Sequence, residues 1–471
     1  MAAALSAATA AQAAIEISSG ATSNMSCSDG VCTATGRDAV LNTGDLAAML
    51  AGGDVSVLSG HKAKDIEITA TLSWASAGKL TLSATRSVIF RAPIVVAGTG
   101  SGLSIVDNTA LVHGDLRFFG QGRVEMWDRD DSLVINGKSY VLAKSIAQLA
   151  QILSHGPANI ALVKSIDAAK TPYDDTPLPR MEGTLEGLGN TISHLSISTD
   201  SNPSVALFGE LGQISPNSII RNLGIRDANI VYTGHDADVA VLVAENAGSI
   251  VNSWVSGHVT AQGPSGRTGG LAATTAAGGT ITRCHADVIV SSGSTEAGGL
   301  AGALVAPATI SESYATGSVT GSGNAMAGGL VGYNFASAIF DSYASGSVSG
   351  ADNSSVGGLV GYSADDPGHG LAQIVSESYS TGAVSGTGSV GGVLGQDTAQ
   401  AANRNVYWDL DTSGVSDPSR GAGNIADDPG LTGLTTARLL AHLPGGFARR
   451  IWRETDGING GYPYLRDNPP Q

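Results

Sequence analysis

Few residues in this 471-residue chain can do acid–base or nucleophilic chemistry, and they gather in a handful of places. The stretch SADDPGHG at 363–370 sets Asp365 and Asp366 just ahead of His369. Carboxylates beside an imidazole can hold a polar ligand or exchange a proton. Loops on rigid scaffolds often carry binding residues, so Asp365, Asp366 and His369 are the candidate binding residues. Arg283, Cys284 and His285 stand in a row and have the types of a nucleophile with its base. The run DLDTSG at 409–414 opens like a calcium loop, but the twelfth position, which should bring a bidentate acid, is Arg420. Four acidic doublets, Asp130-Asp131, Asp174-Asp175, Asp365-Asp366 and Asp427-Asp428, sit in turn-like surroundings. Calcium is the cation they could hold; no other cofactor is expected, and no residue is assigned a catalytic role.

Charge and cysteine usage narrow the field. Net charge is −16, and between 239 and 400 two arginines face ten acids, a net of −8. A nucleic-acid partner needs a basic footprint, so that class is excluded. Of three cysteines, Cys27 and Cys32 frame CSDGVC, a small loop around Asp29-Gly30. A Cys27–Cys32 disulfide is expected, with free thiols as the alternative; a metal centre lacks further ligands at matching spacing, so no metal site is assigned. The opening MAAALSAATAAQAAIEISSG has small residues suited to a cleavage site, and residues 1–14 are read as the remnant of a signal peptide. No run of 18 strongly apolar residues exists, so no transmembrane helix is expected.

The elements that must position these residues announce themselves by repetition. Glycine pairs in TGGLA, AGGLAG, AGGLVG, VGGLVG and VGGVLG begin at 269, 298, 328, 357 and 391. Their spacings are 29, 30, 29 and 34, and the insertion at 363–369 accounts for the long one. About 15 residues after each pair, and after a degenerate copy VAVLVAE at 239, comes an aromatic slot: Trp254, His285, Tyr314, Tyr343, Tyr379 and Tyr407. Within this pattern His285 fills a tyrosine position and Cys284 a serine position, so both read as packing residues rather than as a catalytic pair. Each repeat holds two or three short alternating strands, which cannot bury a face alone and must stack on their neighbours. Stacking at about 4.8 Å sets Tyr314 over Tyr343 and Tyr379, and Val319 over Val348 and Val384. This is the logic of a parallel β-solenoid with coils of about 29–30 residues.

Two helical pieces interrupt it, at 145–153 and 435–446. The expected order is an N-terminal cap and first coils at 15–140, a helix-containing segment at 141–204, the repeat solenoid at 205–400, and a C-terminal cap at 401–471. Which side the tyrosines take is open, because a one-residue shift inverts it. Facing out, they would stack on sugar rings; facing in, they would fill the interior.

The copies AGGLVGYN and VGGLVGYS, each followed by a SYA- or SYS-type strand, resemble the GLUG motif of bacterial surface and secreted proteins. The wider chain, from about 38 to 466, is similar to filamentous-haemagglutinin-like adhesins. That resemblance implies an all-β, right-handed parallel β-helix that is secreted or carried on the bacterial cell surface. It implies an adhesin-like function, with an extracellular glycan or a host or matrix surface as partner. A polysaccharide lyase or hydrolase and a purely structural envelope protein are the alternatives.

Overall fold

The computed structural model describes residues 13–109, 114–293, 295–398 and 403–470. The signal-peptide expectation for 1–14 lies outside the described residues except for Ala13 and Ala14, and Ala14 opens the first strand. The chain is nearly all β, and its parallel sheets form a β-solenoid of about 14 turns. It divides into two compact units.

The first unit holds the residues up to Ser145, with Ala158–Ser165 and Leu185–Asn190. Three strand ladders run through it. Ile66 pairs in register with Val88, and Val88 with Leu116, so turns here take 22 and 28 residues rather than a uniform 29–30. Alternation puts Ile15, Ile17, Ile66, Ile68, Val88 and Phe90 inside, all fully buried, and turns Glu16 and Glu67 between them outward. The helix Thr43–Gly52 was not anticipated from the sequence. Asn42 caps it, its side-chain oxygen accepting from the backbone of Gly44 and Asp45, and Leu46 and Leu50 seal it to the core. Cys27 and Cys32 are joined by a disulfide across the antiparallel hairpin Met25–Ser28/Val31–Ala34. Asp29 and Gly30 form its tight turn, both with positive φ.

The second unit holds Ile146–Pro157, Ile166–Thr184 and the chain from Thr191 onward. Helix Ile146–Leu153 forms where its apolar spacing predicts. A seven-stranded ladder runs from Ser204–Val205 to Ser389–Gly391, an eight-stranded one from Leu178–Met181 to Leu394–Asp397, and further strands complete each turn. Register steps such as Val239↔Thr268 and Ala297↔Ala327 keep the 29–30-residue period. Val319, Val348 and Val384 stack as expected.

The glycine pairs mark a place where backbones touch. A Cβ on Gly329 would sit 2.2 Å from the Gly358 carbonyl oxygen and 2.9 Å from the Ala344 Cβ. The small residue after each of Tyr314, Tyr343 and Tyr379 (Ala315, Ala344 and Ser380) therefore points inward against the second glycine of a pair. Alternation then turns Tyr314, Tyr343 and Tyr379 to the outer side. On the last turn Trp408, fully buried, takes the alanine's place, and its ring lies against Gly392.

Candidate binding seam

The outward tyrosines are nevertheless buried. His285, Tyr314, Tyr343 and Tyr379 stack nearly parallel with centroids 4.7, 4.7 and 5.0 Å apart. The chain's own C-terminal residues, from Thr436 to Pro470, cover them as a strap. Trp452 and Phe447 stack on each other at 4.4 Å and lean on Tyr343 and Tyr379. The Tyr379 hydroxyl donates to Pro463 O at 2.6 Å, the Tyr407 hydroxyl to Gly445 O at 2.9 Å, and the Trp452 indole to Asp341 at 2.8 Å. The ladder is thus neither interior filling nor an open platform for sugars. The helix expected over 435–446 is one turn, Thr436–Leu439. Leu443 is kept from helical backbone by Pro444, and Leu439 turns into the ladder's cluster instead.

The residues singled out by chemistry fall into local roles. Asp366 receives His369 Nδ1 at 2.8 Å on the exposed insertion, while Asp365 turns away to accept from Gln373 N at 2.7 Å. Asp366 and His369 thus meet; Asp365 does not join them. Cys284 is buried and its thiol is pushed up to about 12 by burial, so it is no nucleophile. Asp409, first of DLDTSG, accepts from Thr436 and Tyr462 hydroxyls and anchors the strap. Asp131 and Asp175 are likewise taken by neighbouring backbone or side-chain donors, and burial pushes the Asp428 carboxyl up. Among the described residues no group of three His, Cys, Asp or Glu is placed to hold a metal ion.

What the sequence reading passed over is a seam where the seven- and eight-stranded ladders meet. One ladder presents Ser204, Asp238, Arg267, Glu296, Met326 and Ser355 in register. The other presents Glu245, Thr274, Ala303, Tyr333, Tyr362 and Gln396. Each residue of the first touches or faces one of the second from the following coil. Ser204 donates to Glu245 at 3.1 Å, Thr274 to Asp238 at 2.5 Å, and Ser355 reaches Gln396 at 3.2 Å. Small Ala303 leaves room for Arg267, whose Nε donates to Glu296 at 2.8 Å and whose Nη1 lies 3.6 Å from Asp238. Tyr333 and Tyr362 follow, edge to face at 5.6 Å. Six rungs at the normal strand spacing extend about 24 Å. Arg267, Glu296, Tyr333 and Tyr362 are half-buried, so their edges reach solvent. The signal was present: 238, 267 and 296 are each 29 apart, but their types differ and so did not register as a repeat.

Burial pushes Asp238 and Glu296 up from the ordinary carboxylate range, against the pull of Arg267. Arg267→Ala removes that pull and is expected to cost about 2 kcal/mol at pH 7, less than a fully buried pair would because the guanidinium is partly exposed. A carboxyl whose folded pKa is raised keeps its proton where the unfolded chain has lost it. Its contribution is favourable in acid and is lost as pH rises through the folded value. The stability gap between Arg267→Ala and the parent should therefore shrink from pH 7 to pH 5 in urea titrations. A gap that does not change with pH would refute the pairing.

Residues 323–349 match the GLUG motif. A stretch of 106 residues, 22% of the chain, is 40% identical to halomucin of Haloquadratum walsbyi, and it spans 1% of that protein's length. A solved chain from Bacteroides ovatus, described as a "putative immunoglobulin A1 protease", aligns over 70% of this chain and 93% of its own, at 19% identity and a TM-score of 0.46. The chain is a GLUG-motif-bearing β-solenoid.

Proposed function

We propose that this is an extracellular, adhesin-like repeat protein that binds a glycan along the seam. The observation that carries the reading is the seam's order: hydroxyls and acids, one arginine, then two half-exposed tyrosines, on consecutive coils of a rigid stack. Carboxylates and guanidinium can hydrogen-bond sugar hydroxyls, and tyrosine faces pack on apolar sugar faces. The resemblance of part of the chain to halomucin and the disulfide in the hairpin support a place outside the cytoplasm. The insertion with Asp365, Asp366 and His369 supplies a further contact in this reading.

Binding is favoured over hydrolysis or elimination because the acids are already committed. Asp238 and Glu296 both lean on Arg267. Burial pushes Tyr333 up, the wrong direction for a catalytic base. The test is a glycan array with folded protein, followed by titration of the retained glycans. Tyr362→Ala and Arg267→Ala should each weaken binding about tenfold or more. No glycan retained by folded protein would overturn the proposal. New reducing ends or unsaturated products would replace it with the lyase or hydrolase alternative.

A further inference from the structure

The strap leaves one end of the aromatic ladder open. Trp254 stacks on His285 at 6.0 Å, in the tyrosine slot, yet is only half-buried. The next slot is Gly224, whose Cα lies under the Trp254 ring, so the ladder stops there. His285 and Gly224 lie against the ring and the Arg226 guanidinium sits 6.0 Å over it, so it is the ring's edge that borders a groove of about 140 Å³ lined by Trp254, Ser256, His285, Asp287, Tyr314 and Thr316, with Pro470 among its walls.

The strap itself shows what this edge accepts. Asn468 donates to the carbonyls of Cys284 and Glu312 at 3.0 and 3.1 Å, which leaves its Oδ1 as acceptor for His285 Nδ1 at 3.1 Å. The Tyr314 hydroxyl donates to Pro469 O at 3.3 Å. An Asn-Pro-Pro segment is thus read by ring edges and by one aromatic donor aimed at a proline-peptide carbonyl. Two further groups line the groove beside Pro470: the Trp254 indole N–H has no partner among the described residues, and there the exposed Asp287 carboxylate accepts from Thr316 at 3.1 Å.

We propose that this groove is a docking site for an extended, proline-bearing peptide of a partner protein. Proline segments suit it because their polyproline conformation is preformed and their carbonyls seek donors. Trp254 supplies the donor from its exposed ring edge, and Asp287 meets a basic residue next to the prolines.

The probe is a fluorescein-labelled peptide of three Ala-Pro-Pro triplets, with and without a terminal lysine, titrated by anisotropy into the full chain. Saturable binding is expected, tighter with the lysine. Trp254→Ala should weaken it about tenfold or more, and Trp254→Phe by less. Thr316→Arg, which fills the groove mouth without touching the ladder, should abolish it. Tyr362→Ala on the seam should leave it unchanged, which separates this site from the glycan reading. Three results would overturn the proposal: no saturation at millimolar peptide, equal binding by folded Thr316→Arg, or displacement of the peptide by a neutral monosaccharide.

Discussion

A chain carrying Gly328→Ala is expected to lose about 3 kcal/mol or more of stability, enough to show as a low yield of folded protein or as aggregation. The added methyl would lie 1.9 Å from the Val331 carbonyl oxygen and 2.6 Å from Gly361 N. Both obstacles are backbone atoms, and one belongs to the next coil, so relief needs the ladders to part. Gly298 and Gly357 stand in the same place on their own coils, where an added Cβ would also lie 1.9 Å from a backbone oxygen. A local shift would therefore be passed to neighbours that have no slack. Gly323→Ala is the control: nothing lies within 4 Å of its Cβ position. That change should be neutral or stabilise by about 0.5 kcal/mol, through the unfolded chain. Urea midpoints and far-ultraviolet circular dichroism decide the matter. Equal midpoints for the two variants would show that the close approach at the glycine pair is not what holds the ladders together.

The second large effect is expected from Trp452→Ala. The indole is fully buried, stacked on Phe447 and packed against Tyr343 and Tyr379. Truncating a buried tryptophan costs about 3–5 kcal/mol, here charged to docking of the strap rather than to the coils. The variant should keep its β-sheet signal, bind more of a hydrophobic dye, and be cut by protease within 436–470 while the coils resist. Trp452→Phe keeps a ring but loses the bond to Asp341, a loss of about 1 kcal/mol. A strap equally resistant in Trp452→Ala and the parent would refute its dependence on this residue.

These two sites differ in how far the sequence betrays them. The glycine pair is periodic, and a period of 29–30 residues can be read without knowing any contact. The strap is not periodic. Its partners lie at no fixed spacing, 27 residues back for Thr436 and Asp409 and 111 back for Trp452 and Asp341, so nothing local marks them. For the same reason the side taken by the tyrosines stayed open: alternation gives two faces, and only the alanine against Gly329 says which one is inside. The seam was hidden differently. Asp238, Arg267 and Glu296 keep the period but exchange residue type, so they emerge only when the register is known. Helix Thr43–Gly52 was legible in principle, since Asn42 and Gly53 mark its ends, but the strand-rich surroundings drew the reading elsewhere.

The strap has a further consequence, for evolution rather than for stability. Solenoids of this kind grow and shrink by whole coils, since each coil binds only its neighbours. Under the strap that freedom is withdrawn. Its residues meet set rungs: Gly445 at Tyr407, Pro463 at Tyr379, Pro469 at Tyr314, Asn468 at His285. Duplicating or deleting one coil between His285 and Tyr407 would displace every contact on one side of the change by a full rung, about 4.8 Å. The C-terminal residues therefore act as a ruler that fixes the number of coils beneath them, while coils before Gly224 can be added or lost without being measured.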